Sequence, residues 1–331
     1  MTTLDETRSD LAESQPVSAE KRRFKAEQFI RYLPLILLAV AIIAIGLATP
    51  NFLTARNAVN ILRQSAALGL MAIGMTTVMI GGGIDLSIPS VMAFSGILGA
   101  MYMRDGGNPV VAALIMLGVG MGCGSINGLA VAYLKMIPFV VTLAMMNVAM
   151  GASIWVTESV SVAPISQGFI DTVMARFSIV PMPVIIVLIV TIIAQILMKR
   201  GYFGRWLFAA GTNVRAARVS GIPTQKVIFG TYVVSGFFAG LAAMIVVARL
   251  MSAAPTMGEE GVVLDIVSSA VVGGTSIYGG VGSPLGSVVG ALFITLITNS
   301  MNMLKVSYYW TLIIKGLVIV IAVIVDSLRR R

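Results

Sequence analysis

The sequence predicts an all-α polytopic membrane protein of about ten transmembrane helices, with glycine-broken segments and both termini on the cytoplasmic side. Three observations carry that expectation. Of 331 residues, 57% are hydrophobic and 11% charged, for a mean hydropathy of +0.95, whereas soluble domains carry roughly 25% charged residues. The apolar residues gather in runs that match the ~20 helical residues needed to cross hydrocarbon. The acids are unevenly placed: Asp5, Glu6, Asp10, Glu13, Glu20 and Glu27, six of the 14, precede the first run.

Residues 1–30 are polar and rich in Ser, Glu and Lys, so they read as a disordered cytoplasmic tail. An acidic polar opening is not a cleavable signal peptide, and the first apolar run is read as a retained span. Ten segments follow, at 33–49, 66–80, 88–104, 109–134, 138–157, 180–198, 226–250, 265–280, 284–300 and 309–326. The eighth and ninth are short and broken by glycine. Together, residues 31–326 form the permeation domain, ending in a basic cytoplasmic C-terminus at 327–331.

Lys and Arg set the orientation. Lys21, Arg22, Arg23, Lys25 and Arg31 precede the first span; Lys199, Arg200, Arg205, Arg215, Arg218 and Lys226 follow the sixth; Arg329, Arg330 and Arg331 end the chain. An even number of spans puts all three groups inside, and Glu158, Asp171, Glu259 and Glu260 outside. Arg56 and Arg63 lie in NFLTARNAVNILRQS, whose apolar residues recur at near-helical spacing, so this stretch reads as an interfacial amphipathic helix on the outer side. Positive-inside topology accounts for the net charge of +9 without nucleic acid. Cys123, the only cysteine, forms no internal disulfide and reads as a small apolar side chain. The 21 methionines read as packing residues, and the glycines of GVGMGCGSING mark close helix approach.

Two stretches interrupt the apolar pattern with glycine and polar groups. GGGIDLSIPS (81–90) separates two membrane-compatible runs. An ionisable residue there is a functional candidate, and Asp85 has three readings: a helix cap or hinge shared with Ser87, a solute contact, or a partner contact. Pro89 is tolerated in a first helical turn. On the charge-derived topology this turn faces the cytoplasm, as does GGTSIYGGVGSPLG (273–286) in the second half. Two such breaks point toward a pseudo-repeat around a central path. Between the halves lies KRGYFGRWLFAAGTNVRAARVSGIPTQK (199–226), where Asn213 suits a helix start and Gly221 with Pro223 suits a stop. This loop is either a solvated connector or a docking element for a cytoplasmic partner.

Several of these stretches carry a resemblance. FAAGTNVRAARVSGI resembles the cytoplasmic loop of the permease subunits of ribose-type ATP-binding cassette sugar importers. GGGIDLSIPS and NGLAVAYLKMIPFVVTLAMM are similar to that family's corresponding motifs, and residues 248–326 track its C-terminal region almost end to end. The motifs run in order from about residue 30 to 326. The resemblance implies a bacterial inner-membrane permease for a pentose, hexose or related polyol, pairing with a second copy of itself. It also implies a cytoplasmic ATP-binding cassette subunit that holds ATP and Mg, and an extracytoplasmic sugar-binding protein that delivers the monosaccharide. No cofactor is expected on this chain, because it has no G-x-x-x-x-G-K-[ST] phosphate loop and no histidine.

By the same resemblance, Asn213, Arg215, Ala216, Arg218, Ser220 and Gly221 are expected to couple to the ATP-binding subunit. The loop departs from the family pattern at Val214 and Arg215, where an acid gives way to an apolar residue and a cation is added, so the partner's surface is expected to differ there. Asp85, Ser87, Asn127, Thr142, Asn147, Asp265, Thr275, Ser276 and Asn299 are the candidates for the translocation path or its gate. The polar side chains among them suit a sugar's hydroxyls, and they equally suit bridges between helices. A secondary transporter driven by an ion gradient is the alternative, resting on Asp85 and Asp265 as its titratable groups. A membrane-embedded enzyme is poorly supported, since no acid–base or metal constellation is present.

Overall fold

The structure, a computed structural model, describes residues 39–40, 43, 45–47, 52–178 and 180–329. The expected tail at 1–30, most of the expected first span at 33–49, and Arg330 and Arg331 lie outside the described residues.

Helix α1 runs Ala55–Ile80 and α2 runs Ile88–Arg104. The expected outer interfacial helix is therefore not a separate element. No helix breaker separates Gln64 from Ala66, and Thr54 caps the fused helix, its Oγ1 accepting from Asn57 N at 3.3 Å. At about 1.5 Å per residue α1 outreaches the ~30 Å hydrocarbon layer, which leaves its first turn, with Arg56, exposed.

Next come α3 (Pro109–Ala132), α4 (Pro138–Thr157), the short α5 (Gln167–Val173) and a two-residue hairpin of β1 (Arg176–Phe177) and β2 (Val180–Pro181). Helix α6 (Met182–Arg200) leads into two helices rather than the single one expected: α7 (Tyr202–Thr212) and α8 (Val214–Val219). Helix α9 spans Thr224–Leu250, followed by a 3-10 turn at Pro255–Gly258.

Then α10 (Glu260–Val272), α11 (Pro284–Met303) and α12 (Tyr308–Arg329) complete the chain. The expected span at 265–280 is corrected here. Its helix starts five residues earlier and stops at Val272, because Gly274, Gly279 and Gly280 take φ of 89°, 88° and 73°, which ends helical geometry. At 13 residues α10 reaches only about 20 Å, short of a full crossing.

Among the described residues, six helices are long and apolar enough to cross a membrane: α1, α3, α4, α6, α9 and α11. Helices α1 and α9 lie in the middle, and α3 seats on α9 along a seam of glycines. A Cβ at Gly236 would sit 2.0 Å from Gly120 O, and one at Gly120 would sit 2.3 Å from Gly236 O, so any side chain at either position would part the two helices. The outer helices bury one side and show apolar residues on the other, as with Leu188, Ile192 and Ile196 of α6 and Leu114, Ile126 and Leu129 of α3. In water such a belt would aggregate; in lipid it is the matching surface.

Candidate functional site

The turn that joins α1 to α2 holds an acid sealed in the protein interior. Asp85 is 2% exposed. Its Oδ1 accepts from Ser87 N at 3.1 Å and Ser87 Oγ at 2.6 Å, and its Oδ2 accepts from Ser235 Oγ of α9 at 2.7 Å. Ser87 Oγ in turn accepts from Asn127 Nδ2 of α3 at 2.9 Å. Thr142 of α4 donates to Ile84 O at 3.2 Å and to Pro138 O at 3.0 Å.

Four of the expected residues, Asp85, Ser87, Asn127 and Thr142, thus meet at one junction of α2, α3, α4 and α9. The expected cap is modified. Ser87 occupies the N-cap position of α2 but makes no capping bond, since its hydroxyl is committed to Asp85. The carboxylate serves as a clamp between the turn and α9.

The second break lies alongside the first. Gly280 N donates to Ile80 O at 2.9 Å, and a Cβ at Gly279 would lie 3.2 Å from Gly82 Cα. Thr275 Oγ1 is 3.2 Å from Thr76 Oγ1 and 3.4 Å from Ser287 Oγ, and Thr76 also pairs with Ser287. Ser276 is buried; its N donates to Val281 O at 3.0 Å and its Oγ accepts from Tyr278 N at 3.3 Å.

The end of α7 is pressed against both breaks. A Cβ on Gly211 would stand 1.8 Å from Ile80 O and 2.8 Å from Gly280 N, so only glycine allows this approach. One residue on, the loop turns outward. Asn213 caps α8, its Oδ1 accepting from Ala216 N at 3.0 Å, and Gly221 takes φ of 80° beyond the helix. Asn213, Arg215, Ala216, Arg218, Ser220 and Gly221 are all exposed, while Ala217 points inward.

The remaining candidates sit elsewhere. Asp265 on α10 is ion-paired with Lys315 of α12, whose Nζ lies 2.9 Å from each carboxylate oxygen. Asn299 makes a reciprocal amide pair with Asn57, at 3.0 and 3.1 Å, and so ties α11 to α1. Asn147 is exposed on α4, with Nδ2 bonded to its own helix at Leu143 O. A groove of about 690 Å³ opens along α4, α10 and α12, lined by Leu143, Met146, Val263, Leu264 and Leu312 among others; Asn147 is not part of its lining.

Sequence reasoning missed Ser235, Lys315 and Gly211. Lys315 had a signal, a single cation inside the apolar run WTLIIKGLVIV. Ser235 and Gly211 had none, since their partners lie far away in the chain. The described residues contain no cluster of side chains suited to hold a metal ion.

Comparison with known proteins gives a consistent result. The model of the family described as the permease component of the branched-chain amino acid transport system matches residues 57–323. The ribose import permease protein of Escherichia coli is 37% identical over 321 residues, covering 95% of this chain and 98% of its own. That of Bacillus subtilis is 36% identical over 316 residues, covering 95% and 98%. The D-allose transport system permease protein of Escherichia coli is 35% identical over 314 residues, covering 94% and 96%. No solved structure matches. The chain therefore belongs to this family of transport-system permease components, as a multi-pass membrane protein with a transport role.

Proposed function

We propose that the chain is the transmembrane subunit of an ATP-driven importer for a monosaccharide, a pentose, hexose or related polyol, in the inner membrane of a bacterium. The relatives that match it over nearly their whole length are named for ribose, allose and xylose. The chain places about ten helices in the membrane, counting the segment at 33–49 and the short α10, with both termini in the cytoplasm. Residues 1–30 form a tail ahead of the permeation domain at 31–326. ATP and Mg belong to a separate cytoplasmic subunit, and an extracytoplasmic binding protein hands over the sugar.

One observation carries the mechanism: Gly211, at the end of α7, touches both glycine breaks at once. The exposed residues from Asn213 to Gly221 dock on the ATP-binding subunit. A displacement of α8 moves α7, and α7 cannot move without shifting Ile80 and Gly280. The two breaks are therefore the cytoplasmic gate, with Asp85, Ser87, Asn127 and Thr142 fixing one side and Thr275 and Ser276 the other. The groove along α4, α10 and α12 is half of the translocation path, a second copy of the chain supplies the facing half, and the exposed Asn147 of α4 is a further candidate for the path. Asn299 and Asp265 bridge helices behind that face.

The test is to purify the tagged chain under mild detergent from the cells that encode it and identify its companions by mass spectrometry. A co-purifying ATP-binding cassette protein is expected, with two copies of the chain per complex. A chain that emerges alone even after cross-linking contradicts the reading and favours a gradient-driven carrier.

A further inference from the structure

A second cavity lies inside the subunit, apart from the groove. It measures about 210 Å³ and is walled by α1, α9, α10 and α11. Its polar lining consists of Gln64, Arg249, Asp265, Thr295 and Thr298. Thr295 is 2% exposed, and its Oγ1 has no partner among the described residues. Neighbouring hydroxyls of its own helix, and Thr191 on α6, are bonded. Thr298 donates to Ile294 O at 3.0 Å, Ser300 to Leu296 O at 2.6 Å, and Thr191 of α6 to Val187 O at 2.6 Å. A hydroxyl left unsatisfied in a membrane interior carries a desolvation cost that a bound polar group relieves.

The lining mixes charged and neutral hydrogen-bonding groups, which suits a polyhydroxylated guest. Asp265 is already neutralised by Lys315. Arg249 also lines the cavity, with no ion-pair partner among the described residues. The neutral polar lining is Gln64, Thr295 and Thr298, groups that both donate and accept, as sugar hydroxyls do. One water needs only ~10–15 Å³ of such space, so the cavity admits a guest far larger than a water. Helix α10 is the wall between this cavity and the groove, with Val262 and Asp265 on the cavity side and Val263 and Leu264 on the groove side.

We infer that this cavity is a solute site within a single subunit, holding one polyhydroxylated molecule, with Thr295 Oγ1 and the Gln64 amide among its hydrogen-bond partners. This rests on the sugar-permease reading above. On leaving the cavity the solute passes α10 into the groove, and the Asp265–Lys315 pair sets how far α10 parts from α12.

The test uses the full complex in proteoliposomes, with labelled D-ribose, D-allose and D-xylose as probes. Thr295→Val removes the hydroxyl and keeps the shape; Gln64→Leu is the second variant, should the first fail to assemble. Thr191→Val is the matched control, since that hydroxyl is bonded within its own helix away from the cavity. For a transported sugar, Thr295→Val is expected to raise the half-saturating concentration roughly tenfold, the loss of one hydrogen bond to solute, with Thr191→Val unchanged. Wild-type saturation in both Thr295→Val and Gln64→Leu overturns the site while leaving the permease reading intact. If the wild-type complex transports none of these three and no other pentose, hexose or related polyol in a wider panel, the sugar reading itself fails, and the ligand inferred for the cavity fails with it.

Discussion

The two glycine breaks meet at one place in the fold and are held by different chemistry. The first is fastened by one acidic side chain: the carboxyl group of Asp85 gathers Ser87 of its own turn and Ser235 of α9. The second is fastened by neutral hydroxyls, Thr76, Thr275 and Ser287, which share bonds among themselves. A triad of hydroxyls can lose one member and let the other two re-pair. A buried carboxyl group has no such substitute, because every donor aimed at it loses its acceptor together. Losing one member is therefore expected to cost the first break more than the second.

The largest effect is expected where both breaks are struck at once. Gly211→Val places a branched side chain where even a Cβ stands 1.8 Å from Ile80 O, so sugar uptake should drop below about a tenth of wild type, with the deepest fall in thermal midpoint of any variant here. Uptake near the wild-type rate would break the link drawn between α7 and the breaks.

Asp85→Ala strands two hydroxyls and an amide in the interior and should cost about 3 kcal/mol, read as a lowered melting midpoint in detergent. Thr275→Val, the matching change in the second break, should cost about 1 kcal/mol, because Thr76 and Ser287 remain paired. Equal losses from these two variants would erase the distinction between the two breaks. The smallest effect on stability is expected from Asn213→Ala, where losing an exposed cap costs about 1 kcal/mol or less, locally in α8. Its signature is weaker ATP-dependent uptake at an unchanged melting midpoint.

Much of this architecture is legible in the sequence, for physical reasons. Long apolar runs bounded by Lys and Arg leave few options but helices in a membrane. Asp85 stands out because an acid between two such runs needs a reason to be there. The limits fall in three places. Residues 55–65 read as a separate interfacial helix because their polar residues weaken the apolar signal, yet nothing in them stops a helix from running through to Ile80.

The segment at 265–280 reads as a span because its composition is apolar, while its backbone is governed by glycines at positive φ. The site residues were found one at a time, but their grouping was not. Asp85 and Ser235 are 150 positions apart, and Thr76 and Ser287 are 211. No local pattern records such a meeting. The value of Gly211 is equally silent, since a missing Cβ shows its purpose only beside Ile80 O.

The most direct measurement is sugar uptake into proteoliposomes that hold the chain with its co-purified partners, driven either by ATP supplied to the cytoplasmic side or by an imposed proton or sodium gradient without ATP. The account predicts accumulation of a monosaccharide with ATP, none with the gradient alone, and loss of the ATP-driven signal when the partner subunit is omitted. Accumulation by the chain alone under a gradient would contradict it.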